Sequence, residues 1–146
     1  MVGSELASEA VTLSLNEGRT DTTTRQESGP KIDRIIRSIA DHAVEIGVVE
    51  SSALYQGRTA TKWLKDSAKV RRTLSLMAVQ LHNLADGDEE LIRRIQLVGV
   101  ITAGSHLQMI RCARYKKGGA MYFLDDEEVF KFPRSLIKST VTCGPC

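Results

Sequence analysis

The spacing of apolar residues changes once along the chain, near Ile95. Before Ile95 these residues recur at the spacing of amphipathic helices, and after it they form short β-branched and aromatic runs typical of strands. Helices followed by consecutive strands predict an α+β fold, in which N-terminal helices, one of them long, pack on a small C-terminal antiparallel sheet or meander. A winged-helix fold is the alternative, because a hairpin also follows a group of helices there.

The helical part predicts one long helix between two shorter ones. The first covers residues 31–46, where Gly47 follows as a stop and the apolar stripe consists of Ile32, Ile35, Ile36, Ile39, Ala43 and Ile46. The long helix begins at Thr59 or Thr61 and ends near Leu84. Its predicted core side consists of Trp63, Val70, Leu74, Met77, Leu81 and Leu84. Asp86 and Glu89 form a capping-box pattern before a short helix over residues 90–95.

The extended part predicts strands separated by turns. The predicted strands cover residues 97–101, 107–115, 120–124 and 129–132. A glycine-rich turn at residues 116–119 and an acidic turn at residues 125–128 separate the later ones. Short turns of this kind connect antiparallel neighbours, so we expect a meander.

The length of 146 residues suits a single domain with tails. Residues 1–30 contain no aromatic side chain and carry five carboxylates against two arginines, so we expect a disordered acidic tail. Residues 31–138 are predicted to form one compact α+β domain, and residues 139–146 a flexible C-terminal tail. No apolar run is long enough to span a membrane and no secretion signal is visible, so we expect an intracellular protein of the cytoplasm or nucleus.

A basic stripe lies along the predicted long helix. At about 100° per residue, its cations project into one sector, away from the predicted core side; they are Arg58, Lys62, Lys65, Lys69 and Arg72. Such a stripe can follow a run of phosphates or dock on an acidic protein groove or an anionic membrane surface. The simpler interpretation is a solvated helix face, because Lys and Arg are good helix formers that keep a surface soluble.

A second basic group lies on the second predicted strand and the turn after it. It consists of Arg111, Arg114, Lys116 and Lys117, with Tyr115 between the charges. Cations next to an aromatic ring can hold a single-stranded nucleic acid through phosphate contacts and stacking. The sequence leaves open whether this group and the basic stripe share one face.

The C-terminal residues Cys143-Gly144-Pro145-Cys146 resemble the active-site tetrapeptide of the thioredoxin family. The resemblance is confined to these four residues: Thr142 stands where that family commonly has Trp, and we expect no helix after the motif. Cys143 and Cys146 nevertheless suggest a dithiol redox relay. A zinc site with Cys112 and His106 or His82 is a further hypothesis, although only one tight cysteine pair is present.

No motif in the sequence supports an enzymatic function. The glycine-rich phosphate and dinucleotide motifs and the serine-hydrolase elbow are absent, and a Cys112 nucleophile with His82 or His106 as base is the one catalytic pairing to consider. We expect no cofactor and no metal. The leading hypothesis is a non-catalytic binding or regulatory module for an anionic partner, a nucleic acid or an acidic protein. The alternative is a protein–protein adaptor or a subunit of a homo-oligomer, docking through an apolar strip or the sheet edge near Phe130 and Phe132.

Overall fold

The computed structural model of the chain describes residues 6–20, 28–38, 44–86, 88–114, 121–125 and 129–133. They form three helices and a mixed sheet, an α+β architecture. The helices are α1 (Glu9–Asn16), α2 (Thr61–Leu84) and α3 (Glu89–Arg94). The strands are β1 (Leu6–Ala7), β2 (Lys31–Ile32), β3 (Arg34–Arg37), β4 (Glu45–Ser52), β5 (Leu97–Ala103), β6 (His106–Arg114), β7 (Met121–Asp125) and β8 (Phe130–Lys131). The predicted turn at 116–119 and the predicted C-terminal tail lie outside the described residues.

The main sheet has the strand order β3-β4-β5-β6-β7, and β8 pairs with the other end of β6. The predicted meander is confirmed for β5, β6 and β7, which pair as antiparallel neighbours. The predicted position of the sheet is wrong, because β3 and β4 precede α2 in the chain and belong to the same sheet. The chain crosses from β4 through α2 and α3 to β5, so β4 and β5 run parallel. The winged-helix alternative is wrong for the same reason.

The predicted helix over residues 31–46 is wrong. Its described residues form β2, β3 and the start of β4, and β3 pairs antiparallel with β4. Isoleucine is β-branched and loses side-chain freedom in a helix, whereas it packs well on a pleated sheet. The spacing of Ile32, Ile35 and Ile36 in the sequence fits one side of a helix. In the structure, however, Ile35 and Ile36 point to opposite faces of β3.

Helix α2 packs across the sheet and forms the core with it. The prediction of this helix is confirmed, with Trp63, Val70, Leu74, Met77 and Leu81 buried. Leu84 is 61% exposed, contrary to expectation, because α2 ends there and the chain turns away. The predicted short helix is also present as α3, but its N-cap is Asp88, whose carboxylate accepts from the backbone N–H groups of the first turn. No helix among the described residues is long and apolar enough to cross a membrane.

Helix α2 lies so close to β5 that only glycine fits at position 99. A Cβ atom on Gly99 would contact Val70 Cγ1 and lie 3.0 Å from Leu74 Cδ1. Alternate residues of β5 therefore face α2, and Leu97, Ile101 and Ala103 are buried on this side. The helix and the sheet meet over the central strand.

Residues 6–20 belong to the predicted disordered tail, but in the structure they contain β1 and α1. Strand β1 pairs with β2, and α1 packs against α2 with Ala10 and Val11 buried. The Glu45 carboxylate of β4 holds the N-terminus of α1: it accepts from Ser8 Oγ at 2.6 Å and from the backbone N–H of Glu9 at 2.9 Å. Arg37 forms a salt bridge with this carboxylate, in which Arg37 Nη2 lies 3.3 Å from Glu45 Oε1. A carboxylate at a helix N-terminus satisfies backbone donors that otherwise have no partner, so this anchor orders a segment too polar to order itself.

Candidate functional site

The structure divides the residues of the basic stripe into two groups. Lys62 Nζ donates to Asp66 Oδ1 at 2.7 Å, and Lys69 Nζ donates to Glu50 Oε1 at 2.7 Å. Both acceptor carboxylates are buried, so these two lysines neutralise their negative charges where α2 packs on the sheet. Lys65 and Arg72 are exposed on α2, and Arg58 is exposed in the turn before it. Of the five predicted cations, Lys62 and Lys69 therefore each have a buried carboxylate as partner, although the Lys62 side chain is 59% exposed.

Two buried carboxylates lie beneath the first half of α2. Glu50 of β4 is 4% exposed and Asp66 of α2 is 3% exposed, and Ser52 Oγ donates to Asp66 Oδ2 at 2.9 Å. Burial raises the pKa of Glu50, the hydrogen bond and charge of Lys69 oppose this, and the nearby carboxylates of Asp33 and Asp66 add to the increase. These charged groups are paired inside the fold, which is typical of a structural ion-pair cluster.

A cavity of about 350 Å³ opens next to this cluster; it is lined by Ser51, Ser52, Ala53, Leu54, Gln56 and Lys62. The hydrogen bond from Lys62 to Asp66 raises the pKa of the ammonium group, so Lys62 stays protonated and cannot act as a general base. The Ser52 hydroxyl already donates to Asp66.

His106 and the buried Cys112 do not form the pair that the sequence suggested. Cys112 and His106 lie at opposite ends of β6, about 20 Å apart at the rise of a strand. Burial raises the pKa of the Cys112 thiol, which disfavours the thiolate. His106 stacks on Tyr55 with ring centroids 4.1 Å apart. Within the described part of the chain, no group of three or more His, Cys, Asp or Glu side chains could hold a metal ion. Cys143 and Cys146 lie outside that part.

The second basic group does not share a face with α2. Arg111 is the cross-strand partner of Val98, which alternates with Gly99, so its side chain projects to the side of the sheet opposite α2. Arg114 ends β6, and Lys116 and Lys117 lie outside the described residues. Arg111 and the basic stripe of α2 therefore lie on opposite sides of the sheet.

The side of the sheet opposite α2, which we name the open face, carries a patch of apolar side chains. Cross-strand partners share a face, and besides the buried Ala113 the registers place eight apolar residues of valine size or larger here: Ile36, Val49, Val98, Val100, Leu107, Met109, Leu124 and Phe130. Ile36, Leu124 and Phe130 are 38%, 41% and 48% exposed, and the other five are half-buried. None of the eight belongs to the core cluster.

Sequence reasoning found only one corner of the open face, the edge near Phe130. Val98 and Val100 alternate along β5 with Leu97, Gly99 and Ile101, so the run is apolar on both sides, which is typical of a buried strand. Ile36 falls within the incorrectly predicted helix over residues 31–46, and Val49 belongs to no predicted element. The signal that could have indicated two apolar faces is the continuous apolar run of β5, because a strand with one solvated face alternates apolar and polar residues.

Comparisons of the chain with protein-family models, with curated proteins and with solved structures find no match. The function proposed below is therefore based on the geometry of the chain.

Proposed function

We propose that the chain is a non-catalytic protein-interaction module whose docking surface is the open face of the sheet. The observation that carries this proposal is the set of eight apolar side chains on that face, on the side away from α2. A sheet with two apolar faces is most stable when both are covered, and contiguous apolar patches on a protein surface mark interaction sites.

The buried carboxylates support this choice over the basic stripe. Lys62 and Lys69 form ion pairs of 2.7 Å with the buried carboxylates of Asp66 and Glu50, so binding a phosphate through them would compete with a short charged contact, even though the Lys62 side chain is 59% exposed. Drawing either lysine away would leave a buried carboxylate without its counter-charge, which is unfavourable. The open face requires no such exchange.

The experiment compares tagged baits in cells of the source organism that also make the untagged chain. The baits are the wild type, Val100→Asp at the centre of the open face, and Leu64→Asp on α2, where an exposed side chain lies in the other layer. We expect Val100→Asp to lose a protein that the wild type and Leu64→Asp both retain, because a carboxylate buried in an apolar interface is strongly unfavourable. Circular dichroism confirms that each bait is folded, and Ile36→Asp, at the sheet edge, repeats the test. Identical retained proteins for all baits would refute the proposal.

A second candidate function is binding of an anionic partner along the outer side of α2. The observation that favours it is the exposure of Lys65 and Arg72. They are seven residues apart, so they lie on the same side of the helix about 10 Å from each other. Two cations at this spacing can contact phosphates along a nucleic-acid strand or carboxylates of an acidic protein.

A further inference from the structure

Six apolar residues of the open face are arranged symmetrically about β5, whereas Leu107 lies opposite Ser51 and Phe130 has no counterpart beyond β4. This strand is central, with β3 and β4 on one side and β6 and β7 on the other. In one row across the sheet, Val49 and Met109 flank Val100. In the next row, Ile36 on β3 and Leu124 on β7 lie at equal distances from Val98, two strands away on either side.

We infer that the partner on the open face is a second copy of this chain, packed sheet against sheet about a two-fold axis that runs along β5. This inference rests on the proposed function, because it names the occupant of the same face. A two-fold axis along β5 exchanges the two sides of the sheet. It places Val49 on Met109 of the second copy and Ile36 on Leu124 of the second copy, while Val98 and Val100 meet their own counterparts. A surface used by both members of a symmetric dimer must be complementary to itself, and these pairs meet that condition.

Polar and charged residues of the open face occupy positions that fit this arrangement. Arg34 lies in the outermost strand β3 and is exposed, so its guanidinium stays at the rim, where interfaces are polar. Arg111 lies on β6 and faces Gly47 of the second copy, the position on β4 that has no side chain. Its aliphatic stem can extend the apolar contact.

The size of the open face indicates a weak dimer. Five strands about 4.8 Å apart and the seven residues of β5, each rising about 3.3 Å, give a face of roughly 500 Å². A stable interface buries about 800 Å² on each partner. The open face falls below this value, so we expect a reversible dimer with a Kd in the micromolar range rather than an obligate one.

The experiment measures sedimentation velocity of the purified full chain from about 1 µM to about 500 µM. We expect a shift from monomer to dimer over this range. Ile36→Asp and Leu124→Lys should each raise the Kd by about tenfold or more, because each places one charge in an apolar contact. Leu64→Asp and Val79→Lys are the matched controls: both replace exposed apolar side chains of α2 with the same charges, and both should dimerise like the wild type.

The decisive sample is an equimolar mixture of the Ile36→Asp and Leu124→Lys chains. The two-fold arrangement places the introduced carboxylate of one chain against the introduced ammonium of the other, so the mixture should dimerise more tightly than either variant alone, and the gain should fall as salt is added. A mixture no tighter than its components would overturn the pairing of β3 with β7.

Two other outcomes would overturn the inference. A wild type that stays monomeric over the whole range excludes the second copy, and the bait experiment then decides separately whether a different protein binds the open face. A dimer that both substitutions leave unchanged uses another surface. The proposed function itself fails in a different case. In that case the Val100→Asp bait retains every protein that the wild type retains, and the purified chain dimerises through another surface.

Discussion

The hydroxyl of Ser8 donates a hydrogen bond of 2.6 Å to the carboxylate of Glu45, although the two residues are 37 positions apart in the chain. Both side chains are buried, and Glu45 also accepts from the backbone N–H of Ala10 at 3.3 Å. Ser8 itself caps α1 by accepting from the N–H of Val11. One carboxylate from the sheet therefore completes the cap of a helix that the preceding sequence would not keep ordered alone.

Replacing Ser8 with Ala should detach α1 from β4. The change removes the helix cap and one buried donor to Glu45, so we expect the free energy of unfolding to fall by about 1–2 kcal/mol. Urea unfolding measures this loss, and hydrogen exchange should show faster exchange in α1 but not in α2. Ser14→Ala, an exposed serine of the same helix, is the control. Unchanged exchange in α1 would mean that the contact with Glu45 does not hold this helix.

Replacing Glu50 with Gln should change how stability depends on pH. Because burial raises the pKa of Glu50, the folded state binds its proton more tightly than the unfolded state does. The stability from this proton uptake is fully present below the ordinary glutamate pKa and is lost as pH rises through the raised value. The stability of the wild type relative to Glu50→Gln should therefore increase as pH falls from neutral toward the ordinary value. Urea unfolding at several pH values measures the difference, and Glu89→Gln, an exposed carboxylate of α3, should not show it.

The sequence predicted the elements whose contacts are local and missed those that depend on distant partners. The stripe from Trp63 to Leu81 defines α2 because five buried positions repeat at helical spacing over a long run. Residues 31–37 are too few to separate a helical stripe from two short strands, and only pairing with β4 decides between them. The ion pair of Lys62 with Asp66 is visible as an i, i+4 spacing.

The candidate surfaces were less predictable than the fold. Lys69 meets Glu50 across 19 residues and two elements, so a helical projection alone shows Lys69 as a solvated cation. The open face depends on which side of β5 receives α2. That side is set by the contact of Gly99 with Val70 and Leu74, and an apolar run has no period that reveals it.

Replacing Gly99 with Ala should destabilise the helix–sheet contact. The added methyl group would contact Val70 Cγ1, and overpacking of a core costs about 1–3 kcal/mol. Combining it with Val70→Ala should cost less than the two single changes together, because the second change removes the contacting atom, with a coupling of about 0.5–3 kcal/mol. Combining it with Leu76→Ala, on another side of α2, should be additive. Urea unfolding of the single and double variants gives both comparisons, and additive costs with Val70→Ala would contradict this packing.

Reversing the charges of Lys65 and Arg72 tests the second candidate function. If α2 binds an anionic strand, a fluorescent single-stranded oligonucleotide should bind the wild type with an affinity that falls steeply as salt rises, because each phosphate contact releases counterions. Lys65→Glu with Arg72→Glu should abolish this binding and leave stability nearly unchanged, since both side chains are exposed. Arg93→Glu with Arg94→Glu, two exposed arginines of α3, is the charge-matched control and should bind like the wild type. Fluorescence anisotropy measures the affinities. Equal loss in the control would indicate a response to net charge alone, and an affinity that does not change with salt would exclude an electrostatic mechanism.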